Sequence, residues 1–187
     1  MKVLLVDFYD SFTFNIFHYL EGMGVSVTVW EDKAVILSEV AAFDCIILSP
    51  GPGLPDETTS LLPILQRYAS SKKILGVCLG MQGIALYFQA QLFNQKTVKH
   101  GVETLITPRN KANIFHNLPD TFPVGLYHSW AVDLADSTAL LPLAYSTEGV
   151  LMAVKHVSLP IYGVQFHPES ILTPNGKEIL ENFIFKC

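Results

Sequence analysis

The residues with the most chemical promise sit at a corner. The stretch "KILGVCLGMQGIALYF", Lys73 to Phe88, runs from an apolar strand pattern into Cys78 and on into a helix pattern. Gly76 and Gly80 stand two residues to either side of the cysteine. Gly-x-Cys-x-Gly is the thiol counterpart of the Gly-x-Ser-x-Gly nucleophile elbow. A sharp turn of this kind lifts the side chain out of the sheet, and the glycines let strand and helix approach closely. The thiol then lies at a helix N-terminus, where free N–H groups and the positive end of the dipole favour a thiolate. The N–H of Leu79 is placed to stabilise an oxyanion. The plain alternative is a buried cysteine acting as a small hydrophobe.

A thiolate nucleophile needs a base and a group that orients the base. "YGVQFHPES" supplies both: strand Ile161–Phe166 delivers His167, and Glu169 follows at i+2. In an extended chain those two side chains project to the same side, and Pro168 favours the extended form at His167. Glu169 then holds one ring nitrogen while the other faces Cys78, the logic of a catalytic triad. His-x-Glu by itself reads as a surface loop; the cysteine elbow gives it meaning. A third stretch, "SPGPGLP", Ser49–Pro55, alternates Pro and Gly after a strand. It fixes a turn and exposes backbone N–H groups. A Gly53 N–H beside that of Leu79 completes an oxyanion hole, in which one donor is typically worth about 10²–10³ in rate.

These residues must be held by a scaffold, and the chain alternates strand and helix patterns to provide one. Strands are predicted at Lys2–Asp7, Val25–Trp30, Asp44–Ser49 and Lys73–Val77. Helices are predicted at Phe12–Met23, Thr58–Ser70 and Leu79–Gln89. That alternation indicates an α/β domain with a central, mostly parallel sheet flanked by helices. The second half changes character. Val102–Thr107, Val124–Tyr127, Leu140–Thr147, Val150–His156 and Ile161–Phe166 read as strands with short turns between, either an antiparallel extension or a return to the central sheet, and a helix, Gly176–Phe185, closes a single domain spanning 1–187. Asp7, Pro50–Gly53 and Cys78 all fall at the carboxyl ends of parallel strands, where such sheets bind ligands.

Composition narrows the class. Of 187 residues half are hydrophobic and only 16% are charged, with a net charge of −5. A sizeable core is affordable, some apolar surface is free for a partner, and no basic tract invites nucleic acid. Three scattered cysteines argue against a disulfide framework and for a reducing cytoplasm. The apolar run in "MKVLLVD" is too short for a membrane span.

Other reactive side chains carry less. Cys45 lies inside a strand and reads as a core thiol, and Cys187 reads as incidental. His18 reads as a core or interface residue, His128 adjoins the site, and His116 and His156 lack partner spacing. No cluster has metal-ligand spacing, so no metal is expected. Asp10 and Ser11 read as a helix cap and, together, as contacts for a partner chain.

Taken together, "SPGPGLP", "GVCLGMQ" and "GVQFHPES" resemble, in order and spacing, the class I (triad) glutamine amidotransferase family, and the resemblance covers almost the whole chain. The opening "VDFYDSFTFN", Val6–Asn15, and "YHSW", Tyr127–Trp130, resemble the glutaminase subunits of chorismate-using synthases. Those are anthranilate synthase and 4-amino-4-deoxychorismate synthase, which serve tryptophan and folate synthesis. The resemblance implies that Cys78 attacks the side-chain amide of L-glutamine, that His167 handles the proton and that Glu169 orients His167. It implies glutamine binding by Gly51, Pro52, Gly53, Gln82 and a loop at Ser129 and Trp130. It also implies no cofactor, and ammonia passed to a chorismate-binding synthase subunit. The chain departs from those subunits at Phe8, Met81, Val102 and Trp130, where Asn, His, Lys and Leu are usual. Two other readings remain open on sequence: a stand-alone cysteine hydrolase of γ-glutamyl compounds, and a non-catalytic regulatory partner.

Overall fold

The computed structural model describes residues 1–135 and 137–187. Strand β1 (Lys2–Asp7) is followed by α1 (Thr13–Gly22), β2 (Ser26–Glu31), β3 (Cys45–Leu48) and α2 (Leu61–Tyr68). Then come β4 (Lys73–Val77), α3 (Leu79–Tyr87), β5 (Gln91–Pro108), β6 (Phe122–Asp133), β7 (Leu140–Ser146), β8 (Leu151–His156), β9 (Ile161–Val164) and α4 (Gly176–Lys186). Among the described residues the strands form one nine-stranded sheet in the order β2-β1-β3-β4-β9-β8-β7-β5-β6. The pairs from β2 to β9 are parallel, and those from β9 onward are antiparallel.

Strands β1, β3 and β4 are buried on both faces, which is why they read as unbroken apolar runs, whereas the edge strand β2 is only half-buried. Side-chain alternation sorts them into two cores. Val3, Leu5, Cys45 and Ile47 pack on one side with Ile16 and Leu20 of α1 and Ile179 and Phe183 of α4. Leu4, Val6, Ile46 and Leu48 pack on the other with Leu61 and Ile64 of α2 and Ile84 of α3. Met81, a departure from the resembled subunits, is fully buried in this second core.

The antiparallel half differs most from the sequence reading. Strand β5 extends well before Val102, through Gln91–Gly101, a stretch that is largely exposed or half-buried. With neither side dry, it carries no period-two apolar signal to read. Its partner β6 runs on through Ser129 and Trp130, which were expected in a loop. Their strand character comes from pairing with β5, whose register shifts between Asn94 and Lys99 and leaves Ser129 opposite the bulged residues. Strand β9 stops at Val164, two residues short of its expected end. Beyond it, His167 bridges to Gly125 of β6, its N–H donating to the Gly125 carbonyl at 3.1 Å. This tie brings β6 back over the carboxyl ends of β4 and β9.

The cysteine corner depends on close packing. A Cβ on Gly80 would run into the Leu48 carbonyl and come within 2.8 Å of the Leu48 Cβ, while one on Gly76 would collide with the Gly80 backbone. Gly22, by contrast, has nothing within 4 Å of the same position. Overpacking of this kind costs about 1–3 kcal/mol. Gly80→Ala should therefore lower the melting temperature by several degrees, whereas Gly22→Ala should leave it unchanged or raise it slightly. Equal melting temperatures for the two variants would contradict this packing.

Candidate active site

Cys78 is the N-cap residue of α3, with φ 50° and ψ −102°. A non-glycine residue at positive φ is strained, and such strain concentrates at functional sites. The neighbours that hold it are visible: its N–H donates to the Val164 carbonyl at 2.8 Å, and its carbonyl accepts from Gln82 N at 3.0 Å. At the start of α3 the first N–H groups, Leu79's among them, have no carbonyl one turn earlier to bond. Leu79's side chain is buried and abuts the position a Cβ on Gly51 would take. Any part it has in chemistry therefore belongs to its backbone. Cys45, the other strand cysteine, is fully buried, and burial pushes its thiol up to about 12. It is the core thiol expected.

His167 Nδ1 and Glu169 Oε1 lie 2.6 Å apart, both side chains buried. The pairing is the one expected, but its route differs. Pro168 and Glu169 lie in a turn rather than in extended chain. That turn is closed by Ser170 N–H and Thr173 Oγ1–H, which both donate to the His167 carbonyl, at 3.2 and 2.7 Å. Burial opposes charge on the imidazole, but hydrogen bonding to Cys78 and Glu169 and the charge of Glu169 outweigh it, so its pKa rises to about 10. By strict geometry Nε2 has no hydrogen-bond partner, so the contact with Cys78 is a loose one. The ring is packed edge-on by Tyr127 at 4.8 Å and by Phe12 at 5.9 Å, centroid to centroid.

A cavity of about 190 Å³ opens beside the thiol, lined by Gly51, Pro52, Gly53, Cys78, Gln82, Tyr127, His128, Ser129 and Trp130. It suits one small metabolite, being below the roughly 300 Å³ of pockets for drug-sized ligands. Every residue assigned to glutamine binding by side chain or turn lines it; His167 and Glu169 do not, and Tyr127 both lines the cavity and packs against the imidazole. Larger hollows of about 370 Å³ lie near Phe93 and Glu148, but they contain no nucleophile with a base. The turn bearing Gly53 needs glycine, since φ there is +78°. It is tied to the start of the chain through Ser49, whose Oγ accepts from Phe8 N at 2.9 Å and donates to the Pro50 carbonyl at 2.6 Å.

The opening loop reaches the same place. Asp7 Oδ1 accepts from Tyr9 N, Asp10 N and Thr13 Oγ1, while Asp10 Oδ1 accepts from Phe12 N at 2.8 Å. The loop is thus organised mainly by the Asp7 side chain, with the Asp10 carboxylate accepting from Phe12 N, the Asp10 carbonyl accepting from Thr13 N at 3.2 Å, and Ser11 exposed. Asp10 also lies against the dyad: potential ligand atoms of Asp10, His167 and Glu169 all fall within 4.8 Å of one another. Residue spacing gave no hint of this cluster, because Asp10 is distant in sequence. His167 and Glu169 use two of those atoms on each other, which suits a proton relay better than a metal. Sequence reasoning also missed Tyr127, Phe12 and Gln165, whose Nε2 is 3.5 Å from the Cys78 sulfur. Gln165 could have been suspected as a polar residue in an otherwise apolar run.

The raised pKa of His167 ties stability to pH. Below its ordinary value of about 6.5 folded and unfolded chains both carry the proton; between there and about 10 only the folded chain does. The contribution is complete on the acid side and is lost as pH rises through about 10. The stability deficit of Glu169→Gln, measured by denaturant titration, should be wide at about pH 6 and close toward about pH 10. A deficit that stays constant over that range would contradict the pairing.

Comparison with known proteins agrees with this geometry. The family described as glutamine amidotransferase class-I matches residues 4–187. Anthranilate synthase component 2 of Mycobacterium tuberculosis is 40% identical over 193 residues, covering 100% of this chain and 83% of that protein. Aminodeoxychorismate/anthranilate synthase component 2 of Bacillus subtilis is 38% identical over 185 residues, covering 97% and 95%. The crystal structure of a glutamine amidotransferase from Thermotoga maritima shares the fold at a TM-score of 0.79, with 14% identity and coverage of 99% and 98%. With a cysteine elbow, a buried His–Glu pair and a small cavity beside them, the chain belongs to the class-I glutamine amidotransferase family.

Proposed function

We propose that residues 1–187 act as one glutamine amidotransferase domain, the glutaminase subunit of a chorismate-using synthase. The observation that carries the reading is the buried His167–Glu169 pair beside a strained, cavity-lining Cys78. Cys78, its proton held on His167, attacks as the thiolate at the side-chain amide carbon of L-glutamine held by Gly51, Pro52, Gly53, Gln82, Ser129 and Trp130. The N–H groups of Leu79 and Gly53 receive the oxyanion. His167, kept protonated by Glu169, gives its proton to the departing nitrogen, and ammonia leaves a γ-glutamyl thioester. His167 then takes a proton from water as its oxygen attacks the thioester; the thiolate leaves beside protonated His167, and the new carboxyl gives its proton to solvent, so that glutamate is released and the starting pair restored. Glutamine and water thus become glutamate and ammonia, with no cofactor.

The relatives' names supply the partner reading, and the opening loop supports it. Asp10 and Phe12 lie against the dyad, while Tyr9 and Ser11 of the same loop and Phe14 at the start of α1 are exposed. Ile171, just after the Glu169 turn, is 92% exposed. A synthase subunit gripping this surface acts on the imidazole directly and covers the exit for ammonia. The imidazole does not line the cavity, which fits a chain with weak activity until it is assembled. Both chorismate products are compatible with this site, since the partner chooses the isomer. A cytoplasmic setting fits the cysteine usage; among the described residues no helix is long and apolar enough to cross a membrane.

In the assembled complex, Cys78→Ser should abolish amination driven by glutamine and spare amination driven by added ammonium. Loss of both activities would mean damaged assembly, and retention of both would remove Cys78 from the chemistry. Double substitution of Asp10 and Ser11 by Ala should weaken the partner's stimulation of glutamine hydrolysis more than it lowers the melting temperature. If the free chain already hydrolyses glutamine as fast as the complex, a stand-alone hydrolase is the better reading.

A further inference from the structure

One fully buried polar side chain in the site has no part in the chemistry above. Gln165 follows β9, and its backbone is pinned, its N–H donating to the Met152 carbonyl at 2.8 Å. Its Nε2 donates to the Cys78 sulfur at 3.5 Å, and its Oε1 accepts from Gln82 Nε2 at 3.3 Å. Gln82 Nε2 also donates to the Trp130 carbonyl at 3.2 Å, and the same carbonyl accepts from His128 Nδ1 at 2.8 Å.

The direction of this chain of hydrogen bonds is fixed by one atom. A carbonyl oxygen only accepts, so Gln82 must turn its NH₂ toward Trp130. The second hydrogen of that NH₂ then meets Gln165 Oε1, which leaves the Gln165 NH₂ facing sulfur. The orientation of an amide is often ambiguous; here the backbone of β6 decides it. His128 agrees: burial pulls its pKa down to about 4, against the pull of the Trp130 carbonyl. The ring is therefore neutral near neutral pH and carries its proton on Nδ1.

We propose that Gln165 is a further catalytic residue, an N–H donor aimed at the reacting sulfur that supports its negative charge and points it into the cavity. Its aim is set through Gln82 by the Trp130 carbonyl, so a glutamine that engages Gln82 and β6 also tightens the donor on the nucleophile. The inference rests on Cys78 being the nucleophile.

The test is glutamate release from glutamine by the chain assembled with its synthase subunit. Gln165→Met keeps the length and loses the donor. Removing a donor to an oxyanion costs about 10²–10³ in rate, and a weaker donor to sulfur should cost about tenfold in kcat with KM nearly unchanged. Gln165→Glu keeps the shape and the acceptor for Gln82 but places a carboxyl beside the sulfur. Its activity should fall relative to wild type as rising pH ionises that carboxyl, an effect that a filler of buried space would not produce. The Glu variant's pH series decides the matter if the Met variant does not fold. Wild-type kcat in Gln165→Met, a loss confined to KM, or a Glu variant whose pH profile parallels wild type would overturn the proposal. Cys78→Ser separates the two claims: if it is inactive while Gln165→Met is fully active, only the role of Gln165 falls, and if it hydrolyses glutamine, the nucleophile reading falls as well.

Discussion

The rest of the site depends on the backbone at Cys78. A positive φ at a residue with a side chain costs on the order of 1–3 kcal/mol and persists only where the surroundings over-determine it. Here they do. The N–H of Cys78 is bonded to β9, its carbonyl to α3, and Gly76 and Gly80 bring strand and helix so close that no Cβ fits between them. The strained residue follows β4, a strand buried between β3 and β9, and the thiol is presented at the carboxyl edge of β4.

What meets the thiol there comes from distant parts of the chain. The His167–Gly125 tie draws β6 over the edge, carrying Tyr127, Ser129 and Trp130 into the cavity wall. The buried Ser49 hydroxyl links the Pro-Gly turn to Phe8, and Asp7 shapes the loop that lays Asp10 and Phe12 against His167. The parallel half supplies rigidity and the nucleophile. The antiparallel half supplies one wall of the pocket, and the opening loop packs Asp10 and Phe12 against His167.

Much of this was legible in the sequence, for physical reasons. Apolar runs of β1, β3 and β4 mark themselves because both faces are dry, and β1 and β4 are bounded to the residue. The placing of Cys78 directly after β4 and the pairing of His167 with Glu169 were legible because a glycine-flanked cysteine at the end of an apolar run and a His-x-Glu just beyond another are local patterns. The first half of β5 was not, since exposed residues on both faces leave no periodicity. Ser129 and Trp130 were assigned to a loop because strand pairing across a bulge is a property of the partner strand. The contact of Asp10 with the dyad and the bond from Gln165 to sulfur join residues far apart in the chain, and local pattern says nothing of such closures.

The account stands on nitrogen leaving glutamine at Cys78 and reaching chorismate without entering bulk solvent. The most direct measurement supplies the native complex with chorismate and with glutamine carrying heavy nitrogen in its side-chain amide, in a buffer containing excess unlabelled ammonium at a pH where little of it is free ammonia. Mass spectrometry then reads the label in the aminated product. Near-complete labelling of anthranilate or 4-amino-4-deoxychorismate is the result expected. Unlabelled product, or no aminated chorismate from an intact complex that still hydrolyses glutamine, would contradict the account.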